Sequence, residues 1–345
     1  MKLLFFTDAH GMSRKPSARL DDYSDTILKK IEWIGEYSRE NHIEAVLCGG
    51  DLLDSPDVSE TFIRKMCMIL KSFPCPIYTV IGNLDEYGYS PDTFNRTTLG
   101  VAEGVGVLNR LYLDKAQIIG DVNITGQDSD FDLDKGEHYV YKYSNSKRVA
   151  DKINVHVVHG MLVEKEWPMV SCTTIDEVVK ACPNADIILS GHEHTGFGII
   201  ERYINGRKVI FCNPGSLGRI TSSTGDLRKD VRVAQIETSN GDFSVSLVSL
   251  PLTIAKPASE VINWEEIALE KANKKKSQAF IDKIQNAKIS SFDIYSGLND
   301  MKERENLSDE VVEECRKQLE KAEEERKNNE ERWESWLRQI FRKDE

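Results

Sequence analysis

The sequence predicts an α/β protein with two mixed β-sheets packed face to face, flanked by helices, and a helical C-terminal extension. Three observations predict it. Strand-like and helix-like segments alternate over the first 81 residues, a pattern that favours parallel pairing with right-handed crossovers. Two Asn-Gly pairs, Asn205-Gly206 and Asn240-Gly241, each sit between strand-like runs and read as hairpin turns, so the second half is richer in antiparallel strands. After Pro251 and Pro257 the chain turns charged and helix-prone, and Gly297 is the only glycine or proline between 260 and 345. The expected domains are residues 1–257 and 258–345.

Each element follows from local pattern. Residues 2–7 are an apolar run that reads as a buried strand. Leu20, Tyr23, Ile27, Ile31 and Ile34 recur at helical spacing across 20–40. A strand at 43–48, a helix at 58–72 closed by Pro74 and Pro76, and a strand at 77–81 follow. Residues 107–113 and 116–126 read as strands, and 127–152 as polar loop or edge. Then come a strand at 153–158, a helix at 174–181, a strand at 186–190, and the two hairpins at 198–212 and 231–250. In the extension Ser308 reads as a helix N-cap, with residues 311, 315, 319 and 322 at helical spacing behind it. Residues 323–332 have no apolar side, and Trp333, Trp336, Leu337, Ile340 and Phe341 then form a compact apolar face suited to docking on a partner.

The net charge of −12 argues against a molecule that binds polyanions over its whole surface, so any nucleic-acid site must be local. Seven scattered cysteines without a Cys-x-x-Cys pair predict reduced thiols. No run approaches the ~20 apolar residues of a membrane span. The N-terminal apolar run is too short for a signal peptide, so the expectation is a soluble cytoplasmic protein with no membrane association.

Five polar clusters each close an apolar run: Asp8-Ala9-His10, Gly49-Gly50-Asp51, Gly82-Asn83-Leu84-Asp85, His159-Gly160 and Gly191-His192-Glu193-His194. Asp, Asn and His all ligate divalent metals, and in α/β sheets ligands gather beyond the carboxyl ends of strands. Asp8 and His10 lie two apart in an extended segment and can point to one side, and His192 and His194 repeat this spacing. Hydrolysis of a phosphate ester needs an activated water and relief of charge on the phosphoryl oxygens, and a pair of divalent ions about 3.5–4 Å apart supplies both. Mixed nitrogen and oxygen donors suit manganese, with iron or zinc as alternatives, better than calcium. His42, His138 and His156 are expected to serve the fold; His156 lies three residues before His159 and faces the other side of its strand.

The series Asp8-x-His10, Gly49-x-Asp51, Gly82-Asn83-x-Asp85, His159 after a valine-rich run, and Gly191-His192-x-His194 resembles the calcineurin-like metallophosphoesterase superfamily. Asn213-Pro214-Gly215-Ser216 is similar to a loop that often follows in it, and the resemblance covers roughly residues 1–250. It implies a four-layer αββα metallophosphoesterase fold and two divalent metal ions. Asp8, His10, Asp51 and His194 would hold one ion; Asn83, His159 and His192 would hold the other, with Asp51 bridging. Asp51, Asn83, Asp85 and His159 are the implied catalytic group. The superfamily's nucleases usually carry a histidine where this chain has Leu84, and leucine cannot protonate a leaving oxygen. Glu86, Tyr87 and Tyr89 are the nearby candidates to replace it. Arg14, Lys15, Arg19, Arg219, Arg228 and Lys229 are candidates for phosphate-backbone contact.

The tail, through 289–295 and 307–310, resembles SbcD-type DNA repair exonuclease subunits. That resemblance implies a DNA nuclease working with an SbcC-type coiled-coil ATPase docked on the C-terminal helices. A homodimer is a further expectation. The alternatives are a phosphodiesterase for nucleotides or other small esters, and a non-catalytic scaffold that keeps the fold.

Overall fold

The computed structural model describes residues 1–88, 90–135, 148–168, 170–220, 225, 229–286, 298, 299, 302–304 and 307–321. Tyr89, His138, Arg228 and the apolar face Trp333, Trp336, Leu337, Ile340 and Phe341 lie outside the described residues. The chain divides into two compact units, Met1–Asn263 and Trp264–Glu345.

In the first unit, one six-stranded sheet holds β1 (Lys2–Phe6), β2 (Ala45–Cys48), β3 (Ile77–Thr79) and β4 (Asn109–Arg110), all parallel. The antiparallel pair β13 (Arg232–Ser239) and β14 (Asp242–Ser249) extends it beyond β1. The other six-stranded sheet has a parallel centre of β6 (Val122–Gln127), β7 (Ile153–Gly160), β10 (Ile187–His192) and β12 (Arg207–Asn213). Antiparallel edges come from β5 (Gln117–Ile119) and β11 (Gly198–Ile204), giving the order β11-β12-β10-β7-β6-β5. A short parallel pair, β8 (Leu162–Val163) and β9 (Thr173–Thr174), stands apart from both sheets.

Side-chain alternation builds four layers from these sheets. Leu3 and Phe5 of β1 pack with Val155 and Val157 of β7 and with Ile187 and Leu189 of β10, so the core between the sheets is continuous. Leu4 and Phe6 point the other way, into a core with Ile27 and Ile31 of α1 (Tyr23–Glu40) and Phe62 and Met66 of α2 (Glu60–Lys71). On the far side, Val158, Ile188 and Phe211 pack with Ile175 and Val178 of a short helix, Ile175–Lys180. The order helix, sheet, sheet, helix is the predicted architecture.

Local readings differ in two places. The run 116–126 is a hairpin, not one strand, because Gly120 adopts φ +51° and turns β5 into β6. Only Asn109 and Arg110 of 107–113 join the sheet, and a 3₁₀ turn (Pro91–Arg96) and a helix (Thr98–Gly104) precede them. The second unit contains a helix at Trp264–Asn286, and a small core of Leu298, Val311, Val312 and Cys315. Among the described residues no helix is long and apolar enough to cross a membrane.

Candidate metal centre

The parallel strands of both sheets end at one place. β1 runs into Asp8 and His10, β2 into Asp51, and β3 into Asn83, while β7 and β10 end on His159-Gly160 and His192. Pairing of Gly191 with His159 and of His192 with Gly160 sets the last two strand ends level. Asp8, His10, Asp51 and His192 all adopt positive φ, between 47° and 76°, a region non-glycine residues enter at a cost. Tight backbone bonds hold them there: Asp8 N–H to Gly50 O at 3.1 Å and His10 N–H to Asp51 O at 3.0 Å. Gly82 lets β3 approach closely, since a methyl there would collide with the Asp51 carboxylate and backbone nitrogen.

Two donor groups result, Asp8/His10/His194 and Asp51/His159/His192, each with its ligand atoms within 4.8 Å of one another. In the first, His10 Nε2 and His194 Nε2 are 3.0 Å apart, and Asp8 Oδ1 lies 3.6 Å from His194 Nε2. In the second, His159 Nε2 is 3.5 Å from Asp51 Oδ2 and 3.1 Å from Asn83 Oδ1. All seven sequence-read ligands are thus brought to one site.

The donor chemistry fits metal ions. His159 Nδ1 sits 2.7 Å from Gly49 O, and a carbonyl can only accept. Nδ1 therefore carries a proton, and in the neutral ring this leaves the Nε2 lone pair aimed at Asp51 and Asn83. Asp8 and Asp51 are buried, and the ion pairs they make among the described residues are to histidines, not to Lys or Arg. Electrostatics show the crowding. Burial alone would lower the His10 pKa, yet Asp54, Asp51 and Asp8 outweigh it and push it up to about 9. Burial opposes ionisation of Asp8, but His159, His194 and His10 hold its pKa below the usual value. Burial, with His159 beside it, lowers His192 to about 4. Asp51 acts on His10 and on His159 alike, so its charge is felt in both groups.

Surrounding residues orient the donors. Asp8 takes Thr7 Oγ1–H at 2.7 Å and the His192 N–H at 3.0 Å. Asp51 Oδ1 accepts the Leu84 N–H at 2.9 Å. Asp54 Oδ1 is 3.5 Å from His10 Nδ1. The backbone of His194 is held by Ser216 N–H at 2.9 Å and by Lys229 Nζ, which places the Asn213-Pro214-Gly215-Ser216 loop under the site. Asp54 and Thr7 were not legible as contributors in the sequence, although both adjoin site clusters.

Other sequence candidates are placed differently. Asp85 is turned to the backbone: its oxygens accept the Gly82 N–H at 2.9 Å and the Leu53 N–H at 3.1 Å, so it positions the loop and does not face the donors. Tyr87 donates its hydroxyl to Asp57. Glu86 is buried, and burial followed by Asp128 raises it to about 7, but it lines neither cavity at the site. Arg19 forms a fork on Asp21, at 2.8 and 2.7 Å, and Arg219 donates to Lys256 O. Arg14, 3.5 Å from Asp54, and Lys15, whose Nζ donates to Leu20 O at 2.9 Å, are both exposed. His156 is buried in β7, 2.9 Å from Thr125 Oγ1 and away from the donors.

Two cavities meet at the donors. One, of about 400 Å³, runs from His10, Asp51, His192 and His194 to Leu84, Met161, Trp167 and Val170. The other, of about 280 Å³, runs from Asn83, His159 and His192 to Asp130, Phe131, Asp134 and Lys135.

A family model described as calcineurin-like phosphoesterase matches residues 1–196. Among solved structures, a dimetal phosphatase from Danio rerio is 10% identical, with TM-score 0.49, covering 72% of this chain and 96% of that one. The calcineurin-like phosphoesterase YfkN from Bacillus subtilis is 15% identical, with TM-score 0.44, covering 74% and 91%. A Thermus thermophilus protein, TT1561, is 12% identical, with TM-score 0.45, covering 71% and 97%. No curated protein matches the chain.

Proposed function

Because this chain belongs to the calcineurin-like phosphoesterase family, we propose that it is a binuclear-metal phosphodiesterase. The observation that carries this reading is the pair of adjacent donor groups, Asp8/His10/His194 and Asp51/His159/His192, at which two adjoining cavities meet. A monoester needs one recess for its single organic arm, whereas a diester has two arms, and two recesses meet here along Asn83, Met161, Ser171 and His192. Two divalent ions bound there would supply an activated water and charge neutralisation on the phosphoryl oxygens. Asp8, His10 and His194 would hold one ion, and Asn83, His159 and His192 the other. Asp51, whose charge reaches both groups, would be shared. Gly49 fixes the tautomer of His159, Leu84 N–H fixes one Asp51 oxygen, and Asp85 braces the turn that carries Asn83.

DNA is the substrate we assign first, with manganese as the metal and an SbcC-type ATPase docked on Trp333, Trp336, Leu337, Ile340 and Phe341. The tail resemblance supports this. A second reading, a nucleotide-sized diester, is favoured by cavities of about 400 and 280 Å³ and by the acidic net charge. Metal content of the purified protein, and cleavage of DNA, cyclic nucleotides and bis-p-nitrophenyl phosphate with Mn²⁺, test both. The expected result is about two ions per chain, and diester cleavage that chelation and His192→Ala both abolish. Full activity in His192→Ala would overturn the assignment of the site, and cleavage of the small esters without DNA would select the second reading.

A further inference from the structure

We propose that the wall formed by Leu84, Met161, Trp167 and Val170 is a subsite for a planar aromatic group carried by the phosphoester, a nucleobase or another aryl ring. The inference rests on the phosphodiesterase reading above and names the part of the substrate that it leaves open. The wall lines the same 400 Å³ cavity as His10, Asp51, Asn83, His192 and His194. A phosphate held at those donors therefore directs one of its arms along the wall. The volume is on the scale of small-ligand sites.

Four features make the wall fit a ring. Trp167 is 41% exposed and Val170 is 44% exposed, an apolar investment in a cavity whose floor is charged. The loop that carries Trp167 is tied at both stems: Leu162 pairs with Thr173 and Val163 with Thr174, and Val170 N–H bonds Trp167 O at 3.3 Å. Asp134 ties the same stems from beneath, accepting Met161 N–H and Thr173 Oγ1–H, each at 2.7 Å. A tryptophan held in this way offers a flat face at small entropic cost, and stacking on such a face tolerates any base or aryl ring. Leu84 completes the wall with a side chain that adds apolar contact and no charge. The adjoining cavity shares Met161 but is built otherwise: its aromatic residue, Phe131, is 61% exposed and carries Lys135 Nζ over one face, 2.8 Å from the ring centroid, and Asp130 and Asp134 add further charge to the lining. The asymmetry sends the ring to the Trp167 side.

Equilibrium binding to the full-length, Mn²⁺-loaded protein, read by titration calorimetry, tests the proposal with two matched pairs. Adenosine 5′-monophosphate and ribose 5-phosphate differ by a base; phenylphosphonate and methylphosphonate differ by a ring. The aromatic member is expected to bind on the order of tenfold more tightly. Trp167→Ala should erase that ratio and Trp167→Phe should retain most of it. A ratio in the nucleotide pair alone identifies a base subsite, and a ratio in both pairs an aryl subsite. Equal binding within both pairs, or a ratio that survives Trp167→Ala, overturns the subsite while leaving the metal site standing. Failure of all four ligands to bind a protein that holds its metals overturns the phosphoester reading, and the subsite with it.

Discussion

The backbone N–H of Leu84 donates to Asp51 Oδ1 at 2.9 Å, while the Leu84 side chain lines the cavity in front of the donors. One residue thus orients a carboxylate through its main chain and turns to the cavity a side chain that cannot donate a proton. The orienting bond does not depend on side-chain identity. Leu84→His should therefore keep Asp51 in place and add an acid at the cavity wall. Turnover of diesters with alkoxide leaving groups, DNA included, should rise by about 10²–10⁴-fold. Turnover of bis-p-nitrophenyl phosphate should rise far less, because p-nitrophenolate departs without a proton. Steady-state kcat on the two substrates checks this; equal gains on both would show that Leu84→His acts by some route other than protonation.

Asp54 stands 3.5 Å from His10 Nδ1, the nitrogen turned away from His194. A carboxylate at that nitrogen fixes the ring and raises the basicity of Nε2. Asp54→Asn should weaken binding of one metal by about 10–100-fold and leave the other nearly unchanged. Competition with a chelator resolves the two affinities, and equal weakening of both would place Asp54 outside this role.

The candidate metal ligands that the fold gathers were legible in the sequence because few side chains can do that chemistry, and because each of them closes an apolar strand. The layers were legible because β1 and β10 alternate so regularly between the inter-sheet core and the helix side. What escaped depends on contacts between distant segments. Asp134 sits in a polar stretch with no pattern of its own, and its partner Met161 is 27 residues away. Trp167 lies among Lys165, Glu166 and Pro168 and reads as a surface loop residue until the cavity is seen. Asp85 illustrates the converse: the family resemblance groups it with the catalytic residues, while its oxygens accept two backbone amides, the loop-supporting role its place in the turn also allows. The apolar run around Ile118 and Ile124 looked like one strand because Gly120 changes direction without changing hydropathy.

Gly82 lies directly against the candidate metal ligand Asp51. Any Cβ there meets the Asp51 carboxylate and backbone nitrogen, and neither can retreat, since Asp51 is held by Leu84 N–H and its own carbonyl by His10 N–H. Gly82→Ala should displace Asp51 and lower metal content from about two ions per chain to one or fewer. Overpacking of this kind costs typically about 1–3 kcal/mol, so the chain should still fold. Metal analysis alongside a urea transition separates the two effects. Full metal content in a destabilised variant would mean that the strain is absorbed elsewhere.

His156 supplies a pH-dependence that belongs to the fold and not to the site. It is fully buried between the strands, bonded to Thr125, and burial depresses its pKa from 6.5 to about 3. A histidine depressed on folding must stay neutral in the native state while the unfolded chain takes up a proton. Its contribution is fully present above pH 6.5 and is lost as pH falls toward 3, at about 1.4 kcal/mol per pH unit within that window. His156→Gln can keep a hydrogen bond to Thr125 and has no proton to gain. The carboxyl groups of Asp85 and Glu86, both raised to about 7, act in the opposite sense over the same range, but they are common to both proteins and cancel in the comparison. Urea midpoints measured between pH 7 and about 4.5 should therefore fall more steeply for the wild type than for His156→Gln. Parallel slopes would show that His156 does not carry the acid sensitivity of this sheet.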